Sequence, residues 1–355
     1  MVFEHVCVAM SGGVDSAGAA LLLRQSGYKV SGVTLRLHSY RDRPGLCGSA
    51  EDIEVAQAVA ASLGIPHTVL DLSSLFQKTV MDKFVSEYVH GRTPNPCIDC
   101  NREIKFGALL DWAIEHGSDA IATGHYAQVS YDESTGRWLL LRGRDHRKDQ
   151  SYVLYQLTQH QLSHLLLPVG TYEKPTLRAL AAEAGLANAE KADSQDICFV
   201  PDGDYVSFLC QYGGVDLVPG DFVDQSGRVL GRHKGLVCYT TGQRKGLGVS
   251  AGMPLYVLRK DLDAGTVVLG PDRELFTREL TAERVNWISI PELFAPMVVT
   301  AKTRYSQREA AAIVKPLPGG RIRVIFDEPQ RAITAGQAVV LYDGEKVVGG
   351  GTICD

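Results

Sequence analysis

The N-terminal third of the chain alternates short apolar runs with longer stretches whose apolar positions recur every three to four residues. Val6–Met10 has the length of a buried strand, and from about Ser16 to Gln25 the period is that of a helix, stopped at Gly27. Lys29–Leu37 predicts a second strand. Ser49-Ala50-Glu51-Asp52 has the form of a capping box, opening a helix whose Ile53, Ala56, Val59, Ala60 and Leu63 share one face and which Gly64 ends. His67–Leu70 predicts a third strand, Ile104–His116 a helix, and Ala120–Ala122 a fourth strand. Such alternation implies a parallel sheet with helices on both faces, and ligands of such sheets sit beyond the carboxyl ends of the strands.

The pattern then changes. Ser134-Thr135-Gly136 marks a hairpin, and Leu157–Leu166 and Thr176–Ala184 read as helical. After about Asp202 glycine and proline become frequent and short strand-like segments dominate: Leu255–Leu258, Thr266–Leu269, Val298–Lys302, Arg321–Phe326 and Ala338–Tyr342. The expected architecture is α/β overall. Residues 1–202 form a Rossmann-like parallel-sheet domain, 203–275 a small mixed central domain, and 276–355 a β-barrel.

Composition narrows the class. A chain of 355 residues, 45% hydrophobic and 22% charged, buries enough core to need no disulfides. No window approaches a membrane span and no leader pattern opens the chain, so the expectation is a cytoplasmic protein with neither membrane nor DNA as partner. Its eight cysteines are then reduced, and any cooperation among them is catalytic or metal-binding. The net charge of −5 says little, but Gly231–Lys260 carries Arg232, Lys234, Arg244, Lys245, Arg259 and Lys260 without one Asp or Glu. That asymmetry suits contact with a phosphate backbone, or a solvated loop face.

Candidate chemistry begins between the first strand and helix, at Ser11-Gly12-Gly13-Val14-Asp15-Ser16. This is the pyrophosphate-loop signature of enzymes that cleave ATP between its α- and β-phosphates. Two glycines let backbone approach a ligand, and a helix N-terminus turns N–H groups toward an anion. Asp15 is placed to hold magnesium or to orient a donor. The second cluster is Thr93-Pro94-Asn95-Pro96-Cys97-Ile98-Asp99-Cys100-Asn101, a proline-fixed loop delivering two cysteines just ahead of a helix, whose dipole favours thiolate. A lone CxxC is a redox pair, half a zinc site or part of a cluster site, and no second pair follows. Cys198 lies in a polar-to-apolar loop, Cys7 and Cys238 read as packing residues, and Cys47, Cys210 and Cys354 carry no assignment.

Taken in order, SGGVDS, Ala122-Thr123-Gly124-His125-Tyr126, Arg142-Gly143 leading to Lys148-Asp149-Gln150-Ser151-Tyr152, the Asp193–Cys198 stretch, and Tyr239-Thr240-Thr241-Gly242-Gln243-Arg244-Lys245-Gly246-Leu247-Gly248 resemble the bacterial tRNA-specific 2-thiouridylases over nearly the whole chain. The resemblance implies an AMP-forming sulfurtransferase acting on tRNA. The C2 oxygen of the wobble uridine is adenylated with release of pyrophosphate, then sulfur attacks and AMP leaves. It puts ATP, with Mg2+, on Met10, Ser11, Gly12, Gly13, Val14, Asp15 and Ser16, on the backbone near Leu35, and on Gly124. Cys100 becomes the nucleophile and Cys198 the persulfide carrier. Asn95, Pro96 and Cys97 border the target base. His125, Lys148, Asp149, Gln150, Arg304, Tyr305 and Gln337 contact the tRNA. A sulfur-donor protein, either a cysteine desulfurase or a persulfide relay, is the implied partner, and a disulfide is a further expected feature.

One departure matters. Cys97 stands where the best-known members carry aspartate, so it does not inherit that residue's acid–base role. Cys97, Cys100 and Cys198 match instead the pattern of tRNA-thiolating enzymes that hold a four-iron four-sulfur cluster. Persulfide and cluster-bound sulfide therefore both stand as sulfur sources. The other readings are a pyrophosphate-loop synthetase acting on a small molecule, and an inert tRNA-binding or sulfur-carrier module.

Overall fold

The computed structural model describes residues 3–38, 49–191, 197–200 and 203–354. Strands β1 (His5–Ala9), β2 (Lys29–Arg36), β3 (His67–Asp71) and β4 (Ala120–Ala122) form the parallel sheet, in the order β3-β2-β1-β4. Helix α1 (Val14–Gln25) leaves β1, and α2 (Ala50–Leu63) is capped by the Ser49 side chain, which accepts the Asp52 N–H, and closed by Gly64 at φ 63°. The chain order reverses direction between β1 and β4, so the crevice lies at their carboxyl ends, where Ser11–Ser16 and Gly124 fall.

Two expectations need correction. Leu157–Leu166 is not one helix. A capping box at Thr158 opens a helix that covers only Gln159–Ser163, and Leu165–Leu166 pairs with Ile121–Ala122 as a fifth parallel strand. A leucine-rich run is apolar in either period, so periodicity could not separate the two. The helix expected at Ile104–His116 begins eight residues earlier, at Pro96, and runs through Pro96–Asp99, a wider π-type stretch Cys100–Ala108, and Leu109–Glu115.

The hairpin around Gly136 joins β5 (Ala127–Asp132) to β6 (Arg137–Arg142), while Leu165–Leu166 is β7. In the middle segment β8 (Gly220–Val223), β9 (Val229–His233), β10 (Tyr256–Asp261) and β11 (Thr266–Gly270) form a small mixed sheet around Phe222, Val257, Val267 and Leu269. The C-terminal strands β12 (Phe276–Trp287), β13 (Met297–Lys302), β14 (Ala310–Leu317), β15 (Arg321–Arg331), β16 (Ala338–Asp343) and β17 (Lys346–Ile353) close into a six-stranded antiparallel barrel, since β12 pairs with both β15 and β17. A register shift beside Arg284, at φ 51°, bends β12 enough to do so.

Strand β16 shows how the barrel is fixed to the parallel-sheet domain. Its residues alternate faces: Val339 and Leu341 fill the barrel, whereas Ala338, Val340 and Tyr342 join the core that holds Phe106, Tyr152 and Tyr155. Both faces are apolar, which is why Ala338–Tyr342 reads as a continuous hydrophobic run. The β5–β6 hairpin extends the same sheet through the Leu141–Lys346 pairing. Among the described residues no helix is long and apolar enough to cross a membrane.

Candidate active site

The cleft at the carboxyl ends of β1, β2 and β4 has a volume of about 590 Å³, within the usual range for small-molecule sites. Met10, Ser11, Gly13, Val14, Asp15, Ser16, Leu35 and Gly124 all line it. The loop is braced locally: the Ser16 hydroxyl donates to the Gly13 carbonyl (3.0 Å) and accepts the Ser11 N–H (3.1 Å). Helix α1 begins after Gly13 without a side-chain cap, so its first N–H groups are presented to the cleft. Gly12 sits at φ 72°, and a Cβ there would lie 2.7 Å from the Asp52 carbonyl oxygen. Gly124 is tighter still, since its Cβ would stand 2.5 Å from the Asp15 carbonyl carbon and 2.6 Å from the Ser16 nitrogen. Glycine at 124 lets β4 close directly on the start of α1.

Asp15 is already committed. Lys174 Nζ lies 2.6 and 2.7 Å from its two carboxylate oxygens, and the Tyr126 hydroxyl donates to Oδ1 at 2.8 Å. Of the two roles open to Asp15, these contacts suit the orienting of a donor.

The cysteines lie inside the helix rather than ahead of it. Asn95 caps it by accepting the Cys97 N–H at 3.2 Å, and Pro96 occupies the first turn, where a missing N–H costs nothing. Cys97 is exposed and Cys100, one turn on, is buried at 7%. Cys198 is half-buried, and the following Phe199 is locked among Phe76, Phe84 and Phe208. Ala192–Asp196 of the stretch before it, and Cys47, lie outside the described residues. Among the described residues no group of three or more His, Cys, Asp or Glu is arranged to hold a metal. Cys97, Cys100 and Cys198 therefore do not assemble the ligand set a cluster requires. Burial pushes the Cys7 thiol up to about 11, and burial raises Cys238 as well, in keeping with packing roles.

The residues expected to touch tRNA divide into two groups. Lys148, Gln150 and Tyr305 line the cleft, with Tyr305 coming from the barrel. His125 lines it too, but is buried against Phe106, with Nδ1 2.7 Å from the Thr123 hydroxyl. Burial, helped by the positive Lys105, holds its ring well below the usual histidine range and hence neutral. Asp149, Arg304 and Gln337 instead face inward. Asp149 is buried, accepting the Gly143 and Ser151 N–H groups and the Ser151 hydroxyl, and so builds the loop that carries Lys148 and Gln150. Arg304 donates to the Ala332 carbonyl and the Thr334 hydroxyl. Gln337 Nε2 donates to the Thr93 carbonyl at 2.7 Å and more weakly to that of Pro94 at 3.4 Å.

The basic segment is less open than its composition suggests. Arg232 pairs with Asp221 and Arg259 with Asp261, while burial lowers Lys260 to about 8. Lys234, Arg244 and Lys245 remain exposed.

Comparison with known proteins agrees with this architecture. The family model described as the tRNA methyl transferase HUP domain matches residues 4–202, that of the tRNA methyl transferase PRC-barrel domain matches 206–271, and that of the aminomethyltransferase beta-barrel domain matches 277–353. The tRNA-specific 2-thiouridylase MnmA of Acetivibrio thermocellus is 50% identical over 355 residues, covering 99% of both chains. That of Moorella thermoacetica is 52% identical over 98% of both chains. The chain belongs to the tRNA-specific 2-thiouridylase family.

In this 2-thiouridylase family member, Lys174 escaped the sequence reading. Its signal was present: Lys174 opens the helix Lys174–Glu183, and a cation at a helix N-terminus is disfavoured by the dipole unless a carboxylate holds it. Lys191, bound to Asp52 at 2.6 Å, and Asn188, which donates to the Gly12 carbonyl at 3.0 Å, brace the same loop from the Lys174–Glu183 side. Their partners are more than a hundred residues away, so no local pattern pointed to them.

Proposed function

We propose that this chain carries out ATP-dependent 2-thiolation of the wobble uridine in tRNA. The observation that carries the reading is that one cleft is lined both by the Ser11–Ser16 loop and by the barrel's Tyr305. A nucleotide and a base presented by a second, larger substrate can meet there. ATP lies with its phosphates on the first N–H groups of α1, bringing magnesium on its own phosphates. Gly124 admits the nucleotide close to the backbone. The uracil O2 attacks the α-phosphate and pyrophosphate leaves, converting a poor leaving group into an adenylate. A wobble base is already unpaired, so turning it into the pocket costs little beyond unstacking.

Cys198 then carries a persulfide received from a sulfur-donor protein. The outer sulfur bonds to C2 as AMP departs, while the Cys100 thiolate takes the Cys198 sulfur. This leaves a Cys100–Cys198 disulfide that an external dithiol reduces before the next turnover. Asn95, Pro96 and Cys97 border the base. Lys148, Gln150 and Tyr305, with the exposed Lys234, Arg244 and Lys245, meet the tRNA, whose stem phosphates are gripped by the segments 203–275 and 276–355 while residues 1–202 perform the chemistry.

The test is direct. Purified protein with ATP, unmodified tRNA and sulfide or a persulfide donor should form AMP only when tRNA is present, and should yield a thiolated wobble uridine. Absence of both products rejects the reading.

A further inference from the structure

Three segments distant in sequence meet behind the cysteine loop. The segment 332–337 of the barrel lies against Arg92 and Thr93: the Thr93 N–H donates to the Ala335 carbonyl at 2.9 Å, and Gln337 Nε2 donates back to the Thr93 carbonyl at 2.7 Å. Gly336 allows this approach, since a Cβ there would stand 2.9 Å from both the Thr93 nitrogen and the Arg92 Cβ. The segment is also fastened by Arg304 and by strand β17 through Ile353, and Gly242 of the central domain comes so close that an added Cβ would lie 2.8 Å from that of Ala332. Ala332 itself is buried and held at φ 54°, so the segment cannot relax freely. The tethered residues Thr93 and Pro94 lead straight into Asn95, the cap that orients the turn carrying Cys97 and Cys100.

We infer that Gln337 is a positioning residue. It fixes the backbone at Thr93-Pro94, and so the aim of the cysteine turn toward the target base, instead of serving mainly as a contact to tRNA. This rests on the thiolation reading for the identity of the reaction, although the tether itself does not.

Gln337→Met keeps the length and removes the donor, Gln337→Glu replaces the donor with an acceptor facing two carbonyls, and Gln337→Lys restores donation. Expected for Met and Glu is a fall in kcat of between about ten- and a hundredfold, the scale of a misplaced reacting group. The KM for tRNA and the tRNA Kd should stay within about twofold, and alkylation of Cys97 and Cys100 by iodoacetamide, followed by peptide mass mapping without tRNA, should rise several-fold. Lys should recover most of both properties. A raised tRNA Kd with unchanged thiol reactivity overturns the inference in favour of direct tRNA contact, and unchanged behaviour throughout overturns it outright. Should Met fail to fold, Glu and Lys carry the comparison, and fast hydrogen exchange at the Thr93 amide of the unmodified chain would also sink the tether. If the unmodified chain forms no thiolated uridine, the function reading fails while the alkylation result still decides the tether.

Discussion

The ATP cleft and the cysteine loop are anchored differently. The Ser11–Ser16 loop is held by its own residues, by the close approach of Gly124 after β4, and by Tyr126, Lys174 and Asn188, all within the first domain. The cysteine loop takes its fixed point from Gln337, 244 residues from Thr93. The first is set within the parallel-sheet domain. The second is complete only when the barrel docks, through the core shared by Phe106, Tyr152, Val340 and Tyr342. In the proposed two-step reaction this would separate a phosphate cradle from a sulfur-delivery turn tied to the barrel.

The largest effect should come from the chemistry of the cysteine side alone. Cys100→Ser removes the thiolate without touching the cradle, so thiolation should fall by at least about a thousandfold while ATP affinity is unchanged. ATP affinity by equilibrium binding and thiouridine by nucleoside mass analysis read the two halves separately. A loss of both would break the division between the regions.

The reverse test falls on the cradle. Gly124→Ala forces a methyl group to within 2.5–2.8 Å of Asp15 and Ser16 atoms, and most of the atoms it meets are backbone with no easy retreat. Overpacking of this kind costs about 1–3 kcal/mol, which predicts a roughly tenfold to hundredfold loss of ATP affinity if the start of α1 is displaced. Iodoacetamide reactivity at Cys97 and Cys100 should be unaltered. Unchanged ATP binding would show that the close approach of β4 does not shape the site.

How much of this was legible in the chain follows the same division. The parallel sheet, the loop at its switch point and the barrel all rest on local signals: strand–helix alternation, paired glycines beside a helix start, alternating strands after residue 275. Lys174, Asn188 and Lys191 carried no such signal beyond an ill-placed helix cation, because their partners are set by tertiary packing. The same limit applied to Asp149, Arg304 and Gln337, whose residue types suit nucleic acid equally well as internal hydrogen bonding. Their inward orientation follows from where the β5–β6 hairpin and the barrel meet the first domain. Leu165–Leu166 was misread for a related reason, since two leucines become a strand only when β4 presents an open edge.

The smallest predicted effect concerns pH and again separates the regions, because His125 belongs to the cleft wall and not to the cysteine turn. Burial, reinforced by the charge of Lys105, lowers its folded pKa well below the unfolded value of about 6.5. Between those two values the unfolded chain binds a proton that the folded chain refuses, so stability is complete above about pH 6.5 and declines as pH falls through that window, by up to about 1.4 kcal/mol per pH unit. Burial moves His67 in the same direction, so only the difference between two proteins isolates His125. Urea unfolding of the unmodified chain and of His125→Gln at several values between about pH 5 and 7.5 should give a shallower acid slope for the variant, with the two curves differing by a constant above pH 7. Parallel curves over the whole range would mean that the ring takes up its proton in the fold, and that the cleft wall is more open to water than its packing against Phe106 implies.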